Sequence, residues 1–426
     1  DSDENYDIVE NIRYQEINYK VFNIDGLSIF MDCYDNITYF NSHPLSVLTE
    51  KRLSQKNLLL KETKINEYYS YCSAELKTYS KFKNAHQYIL YKMEYVKLGK
   101  SDLKVSRICL GCMSFGEVVE GGHTWVLNQE QTDEMIKKAL DLGINFFDTA
   151  NCYGKGSSET FIGNSFKKFV KNRKDIVVAT KVRVNEGGLS KEAIFREIEG
   201  SLKRLQMDYV DLYIIHRWDY DHPIEETMEA LNELVKSKKV RYIGCSALFG
   251  YQLVKANMIA RKNGWAEFIS IQNHYNIIYR EDERDLTQLI EEEGMSMTPF
   301  SPLAAGRVCR LPEEKTKRGT EDKVAKVKYD SNDNIDLPII KRIKEVADKM
   351  KVTMAQISMA WLLSRPNVAS PVFGCTKISQ LEDLCKSVKI KLSPEDIKYL
   401  DELYQPHNLM GAMTKSQGGT FYVAKK

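Results

Sequence analysis

No run of about 18 apolar residues occurs in the 426-residue sequence, so no membrane-spanning helix and no membrane partner are expected. The formal net charge is only +2, which gives no basic footprint for a nucleic acid. The first residues, Asp-Ser-Asp-Glu-Asn-Tyr, are acidic and lack the apolar core of a signal peptide. The nine cysteines are scattered and odd in number, a pattern of reduced thiols and hence of a cytoplasmic protein. Cys109 and Cys112 form one CxxC, but no second pair or nearby His completes a zinc set, so no metal is expected. The sequon at Asn36-Ile-Thr38 means nothing in a reducing compartment. No Gly-x-Gly-x-x-Gly follows a strand pattern, so a Rossmann domain is not required. Residues 1–93 contain one glycine, one proline and no tryptophan, yet eleven of the 24 tyrosines. That shift sets them apart as an N-terminal extension without catalytic motifs; within it Val21 to Ile24 suits a strand and Leu45 to Leu60 a helix.

What is present begins near Met93. Val96 to Leu98 and Ser106 to Leu110 flank a Lys-Ser-Asp turn and read as a hairpin. Short apolar runs then recur at Ile144, Ile176, Val210 to Ile215, Val240 to Gly244, Phe268 to Ile271, Met295 to Phe300 and Ser370 to Phe373, as buried parallel strands require. Helical patterns lie between them. Asn128 with Gln131 predicts a capping box ahead of Met135, Ala139 and Leu140, and Ser190 predicts an N-cap with Leu189 and Ile194 as a staple ahead of Ile198, Leu202 and Leu205. Counting a strand at Arg107 to Gly111, eight βα units result, the number that closes a (β/α)8 TIM barrel. The expected organisation is an extension over 1–93, a barrel over 94–407 and a tail over 408–426.

In such a barrel, chemistry collects at the C-terminal strand ends. The residues there are Asp148, Lys181, His216, Ser246, Gln272 and Ser301, with Tyr153 five positions after Asp148. An Asp and a Tyr so placed also suit a loop cap and a packing aromatic, and a strand-end Lys or His can be structural. Their joint occurrence on adjacent units points to a site.

These stretches resemble the aldo-keto reductase family: Gly143-Ile-Asn-Phe-Phe-Asp-Thr-Ala-Asn-Cys-Tyr153, Val178-Ala-Thr-Lys-Val, Met207-Asp-Tyr-Val-Asp-Leu-Tyr-Ile-Ile-His-Arg-Trp-Asp, Pro223-Ile-Glu-Glu-Thr-Met-Glu-Ala-Leu, Val240-Arg-Tyr-Ile-Gly-Cys-Ser and Phe300-Ser-Pro-Leu-Ala. Within the family they are most similar to bacterial NADP-dependent reductases of the branch that includes voltage-gated potassium channel β subunits. The resemblance implies reduction of aldehydes or ketones with NADP(H) by a tetrad of Asp148, Tyr153, Lys181 and His216. Tyr153 would be the general acid. A free tyrosine has a pKa near 10, and the Lys181 ammonium, held by Asp148, is expected to draw it toward neutrality while His216 helps orient the carbonyl.

The resemblance also implies cofactor contacts from Cys112, Met113, Asp148, Ser246, Gln272, Phe300, Ser301, Leu303, Gly306, Arg307, Arg310, Gly374, Thr376, Lys377, Gln380 and Asp383. Ser246 and Gln272 would hold the nicotinamide carboxamide, and Phe300 would stack on the ring where this branch usually has Trp. Ser301 to Arg307 would face the pyrophosphate, and Cys309 to Asn334 would cover the cofactor. Thr376 and Lys377 would take the adenosine 2′-phosphate, with Lys377 where many relatives have Arg. Gln380 would pack on adenine and Asp383 would reach its amine. Met113, His123, Trp125 and Trp218 would line the substrate pocket. A small-molecule carbonyl is the expected partner; self-association is left open. The rival readings are a slow-turnover NADP(H)-binding redox sensor or ancillary subunit and, less in keeping with the Thr-Lys-x-Ser-Gln stretch, a barrel aldolase using Lys181 as a Schiff base.

Overall fold

The computed structural model describes residues 8–14, 17–24, 27–32, 93–119, 125–182, 186–314, 329 and 332–404. Two units are distinguished, Asp1–Asn84 and Ala85–Lys426, and each is described by itself. In the first, strands β1 (Ile8–Tyr14), β2 (Ile17–Ile24) and β3 (Leu27–Asp32) form an antiparallel sheet in the order β1-β2-β3, and Val21 to Ile24 lies in its central strand. The helix expected at Leu45 to Leu60 and the tail over 408–426 lie outside the described residues, as do His123 and most of the stretch from Cys309 to Asn334.

The second unit opens with an antiparallel hairpin of β4 (Tyr95–Lys97) and β5 (Lys104–Ser106). Eight parallel strands follow: β6 (Cys109–Gly111), β7 (Phe146–Asp148), β8 (Val177–Val182), β9 (Val210–Ile215), β10 (Val240–Ser246), β11 (Phe268–Gln272), β12 (Ser296–Met297) and β13 (Val372–Phe373). Their order is β12-β11-β10-β9-β8-β7-β6-β13. The two ends of that order meet: the Met297 N–H donates to the Asn367 carbonyl at 2.7 Å, the Ala369 N–H to Met297 at 2.9 Å and the Val372 N–H to Pro299 at 2.9 Å. These bonds close the (β/α)8 barrel.

The single run expected from Ser106 to Leu110 is instead two elements. The hairpin ends at Ser106 and the barrel strand starts at Cys109. The break is made by Arg107, whose guanidinium donates to the carbonyls of Leu363 (2.5 Å), Val368 (2.6 Å) and Ala369 (2.9 Å), pinning the first strand to the approach to the last. The hairpin itself plugs the barrel's N-terminal end: Leu98, Leu103 and Val105 are buried in one cluster with Phe146, Val177, Leu212 and Ile269 inside the barrel. Gly99 makes this close approach (φ +54°), since a Cβ there would sit 2.2 Å from the Ile269 carbonyl oxygen.

Outside the strands lie α1 (Gln129–Asp141), α2 (Ser157–Phe169), α3 (Lys191–Leu205), α4 (Ile224–Lys236), α5 (Gly250–Asn263), α6 (Leu286–Glu292), α7 (Asp333–Met350), α8 (Met354–Leu363), α9 (Ile378–Cys385) and α10 (Pro394–Asp401). The capping box forms at α1, with the Gln131 N–H on the Asn128 side chain at 3.0 Å and the reciprocal bond at 3.2 Å. Ser190 caps α3, whose Ile194, Ile198, Leu202 and Leu205 are buried as their spacing required. Among the described residues no helix is long and apolar enough to cross a membrane.

Met93 is buried against Gly143, and the Tyr95 hydroxyl donates to the Gly143 carbonyl at 2.7 Å. A chain beginning at Met93 is therefore expected to fold and to bind cofactor like the full chain. A cofactor titration and a thermal melt of both chains test this; insolubility or lost affinity would make residues 1–92 part of the working unit.

Candidate active site

Parallel strands deliver their last residues to one rim, and here each of the eight contributes a candidate. Cys112 follows β6, Asp148 ends β7, Lys181 lies near the end of β8 and His216 follows β9; Ser246 ends β10, Gln272 ends β11, Phe300 follows β12 and Gly374 follows β13. The alternation of buried apolar runs with helical stripes thus has a chemical outcome: residues scattered over more than 260 sequence positions share one end of the barrel.

At its centre Asp148 and Lys181 are almost fully buried, with Lys181 Nζ 2.5 Å from Asp148 Oδ1. Nζ also donates to the Thr149 carbonyl at 2.8 Å and to the Tyr153 hydroxyl at 3.3 Å. All three donors of the ammonium therefore have acceptors, which is what a buried cation needs. Burial alone would lower the Lys181 pKa, but Asp148 together with Tyr153 overcomes it and holds the group above the ordinary lysine value. Gln272 Nε2 donates to the second carboxylate oxygen of Asp148 at 3.0 Å, and Ser246 Oγ donates to the Gln272 carbonyl at 2.7 Å. This second hold on Asp148 had no sequence signal, because it spans 124 positions across the barrel.

Tyr153 is half-buried at the start of a turn (Tyr153–Gly156), its ring edge-on to His216 with centroids 5.8 Å apart. Its pKa is raised, not lowered as expected: burial outweighs the opposing pull of Lys181. The phenol is thus kept protonated at neutral pH, the form a proton donor needs. Cys152 Sγ lies 3.8 Å from His216 Nδ1.

The remaining candidates divide between the rim and its surroundings. Ser301 (φ 52°), Ala304 (φ 47°), Ala305 (φ 56°) and Gly306 (φ 88°) make a run of left-handed residues. A Cβ on Gly306 would meet Arg310 Nη1 at 3.0 Å, so the arginine lies against the loop, while Arg307 is ion-paired with Asp333. Leu303 is buried beneath it. A tight loop with two guanidinium groups suits an anionic ligand. Thr376 and the exposed Lys377 lie at the start of α9, where Gln380 Oε1 accepts the Thr376 N–H at 3.3 Å. Asp383 is engaged with α8: its oxygens accept from Thr353 Oγ1 and Gln356 Nε2, each at 2.8 Å, leaving only its further lone pairs for an adenine amine. Met113 is exposed; Trp125 and Trp218 are half-buried, and Trp218 packs partly against the main core. Among the described residues no group of three metal-ligating side chains forms.

Residues 107–405 match the model of the aldo/keto reductase family. The chain belongs to that family. It is similar to the versiconal hemiacetal acetate reductase of Aspergillus parasiticus (37% identical, covering 74% of this chain and 98% of the relative). It is also similar to a candidate aryl-alcohol dehydrogenase of Schizosaccharomyces pombe (38% identical, 74% and 97%). Among solved structures, a thermostable aldo-keto reductase crystallised with the inhibitor epalrestat aligns with a TM-score of 0.60 at 30% identity, covering 73% of this chain and all of that one.

Proposed function

We propose that this aldo-keto reductase reduces aldehydes or ketones to alcohols with NADPH, and that Tyr153 is the general acid. The observation that carries the proposal is the continuous contact Asp148–Lys181–Tyr153 at the barrel rim, with the His216 ring beside the phenol. A reduced nicotinamide, when bound, supplies the hydride. Tyr153 and His216 then orient the carbonyl oxygen, and the Tyr153 hydroxyl passes its proton to the oxygen as negative charge develops there. Lys181, 3.3 Å away, stabilises the resulting phenolate, and Asp148 keeps Lys181 charged and in place. Ser246, Gln272 and Phe300 would hold the nicotinamide, and the loop from Ser301 to Arg310 the pyrophosphate. Within the family, the motifs favour the branch shared by bacterial NADP-dependent reductases and channel β subunits. That none of the seven described cysteines is in a disulfide is in keeping with a cytoplasmic enzyme. The deciding test is aerobic turnover of a panel of aromatic and aliphatic aldehydes with NADPH; tight NADPH binding without turnover on any of them would leave the sensor reading.

Lys377 should set the choice between cofactors. Its exposed ammonium beside Thr376 suits a 2′-phosphate, and hydrogen bonds to charged groups are worth about 1.5 to 3 kcal/mol. NADPH is therefore expected to bind roughly ten- to a hundredfold more tightly than NADH, and Lys377→Ala to remove most of that difference. Equal dissociation constants for the two cofactors in the unmodified protein would end this assignment.

A further inference from the structure

His274 has no place in the chemistry above, yet it is stacked on Phe300, the ring assigned to the nicotinamide, and held by polar groups at its edge. It follows β11 and bridges in parallel to Phe300, and the Phe300 N–H donates to the neighbouring Asn273 carbonyl at 3.0 Å. The imidazole stacks on Phe300 with centroids 5.3 Å apart and on Tyr279 at 4.3 Å, both at an interplanar angle of 14°. His274 is thus stacked with two aromatic rings, Tyr279 and Phe300.

The edge of the imidazole is fixed as well as its faces. Asn276 Oδ1 accepts the Ile278 N–H at 3.1 Å while its Nδ2 donates to the Ser301 carbonyl at 3.0 Å, so two backbone groups set which way the amide points. The same Nδ2 lies 3.3 Å from His274 Nε2 and the Tyr329 hydroxyl lies 2.7 Å from it. Nε2 thus faces two polar groups, the Asn276 amide and the Tyr329 hydroxyl, which together hold the edge of the ring. Tyr329 is itself buried, so the contact is anchored in the core.

We infer that His274 is a positioning residue for the cofactor: it holds the Phe300 ring flat and, through Asn276, ties that ring to Ser301, where the left-handed loop begins. This rests on the proposed NADPH reading, in which Phe300 and Ser301 are both cofactor contacts. Phe300 is a smaller platform than the Trp usual in the branch it resembles, and a ring packed behind it makes up rigidity that the smaller ring lacks. The ligand class that feels His274 is therefore the nicotinamide cofactor, not the carbonyl.

The test uses the full chain, with NADPH dissociation constants from nucleotide fluorescence, steady-state constants for both substrates, and thermal melting. Removing an aromatic stack is expected to weaken NADPH binding by about three- to tenfold in His274→Ala, with KM for NADPH rising in step and KM for the aldehyde unchanged. His274→Phe, which restores the stack without Nε2, should recover most of the loss. Tyr329→Phe should fold normally and show a smaller effect of the same kind. If His274→Ala binds NADPH like the unmodified protein, or if its KM values for cofactor and aldehyde rise together with a lowered melting temperature that His274→Phe does not restore, the positioning role is overturned. Should His274→Ala not fold, His274→Phe and Tyr329→Phe decide: both at the unmodified NADPH affinity uphold the stack and dismiss the Nε2 contact, whereas a loss in His274→Phe as large as tenfold dismisses the stack. Failure of the unmodified protein to bind NADPH at all would instead overturn the functional reading beneath it.

Discussion

Tyr153→Phe is expected to lose carbonyl reduction by about 10⁴-fold while keeping its NADPH affinity and its melting temperature. The hydroxyl is the proposed proton source and one of the two groups that meet the developing oxyanion, and general acids alone contribute roughly 10² to 10⁴ in rate. Little else depends on that oxygen: it accepts from the Lys181 ammonium at 3.3 Å, and that ammonium retains Asp148 and the Thr149 carbonyl. The raised pKa adds a pH expectation. Because burial holds the phenol above its ordinary value, the donor stays protonated past the pH at which a free tyrosine ionises, so kcat for reduction should not fall on the alkaline side until above that range. Single-turnover measurements of NADPH oxidation across pH test both points. Reduction by Tyr153→Phe within a few-fold of the unmodified enzyme would assign the proton to another group.

Lys181→Met should damage both stability and catalysis. The substitution roughly conserves volume but leaves the Asp148 carboxylate, almost wholly buried, with only Gln272 as a side-chain partner. Breaking a buried ion pair by deleting one member costs about 3 to 5 kcal/mol. The loss should shrink in Asp148→Asn/Lys181→Met, where no bare charge remains, although neither protein should reduce carbonyls at an appreciable rate. Chemical denaturation of the two variants distinguishes these outcomes: equal stability of the single and double variants would mean that the charge of Asp148 is already compensated elsewhere.

The strand–helix alternation was legible because parallel strands are apolar on both faces and their helices are not, so Val210 to Ile215 and the stripe from Ile194 to Leu205 announce themselves. The rim residues were legible because strand ends carry polar residues that an apolar run makes conspicuous. Closure was less so. Strands β12 and β13 hold only two residues each, and the bonds that join them run through Asn367 and Ala369, which belong to no strand pattern. The break at Arg107 depends on three carbonyls more than 250 positions away, a contact without local trace. The direction of the Tyr153 shift differs from the expectation because the strand-end pattern shows the charge of Lys181 but not how far the loop after β7 withdraws the phenol from water. His274 was missed for a related reason: its partners Tyr279 and Phe300 come together only after a turn and a strand exchange.

The seam between the first and last strands also governs how the molecule can be made. While the chain is still being synthesised, β6 can pair with β7 on one side, but its other edge waits for Pro371 to Phe373, and Arg107 waits for Leu363, Val368 and Ala369. Until then the growing sheet is open at both margins, and open margins invite pairing with other chains. Nascent protein is thus open to misassembly from the emergence of β6 until Phe373 has followed it.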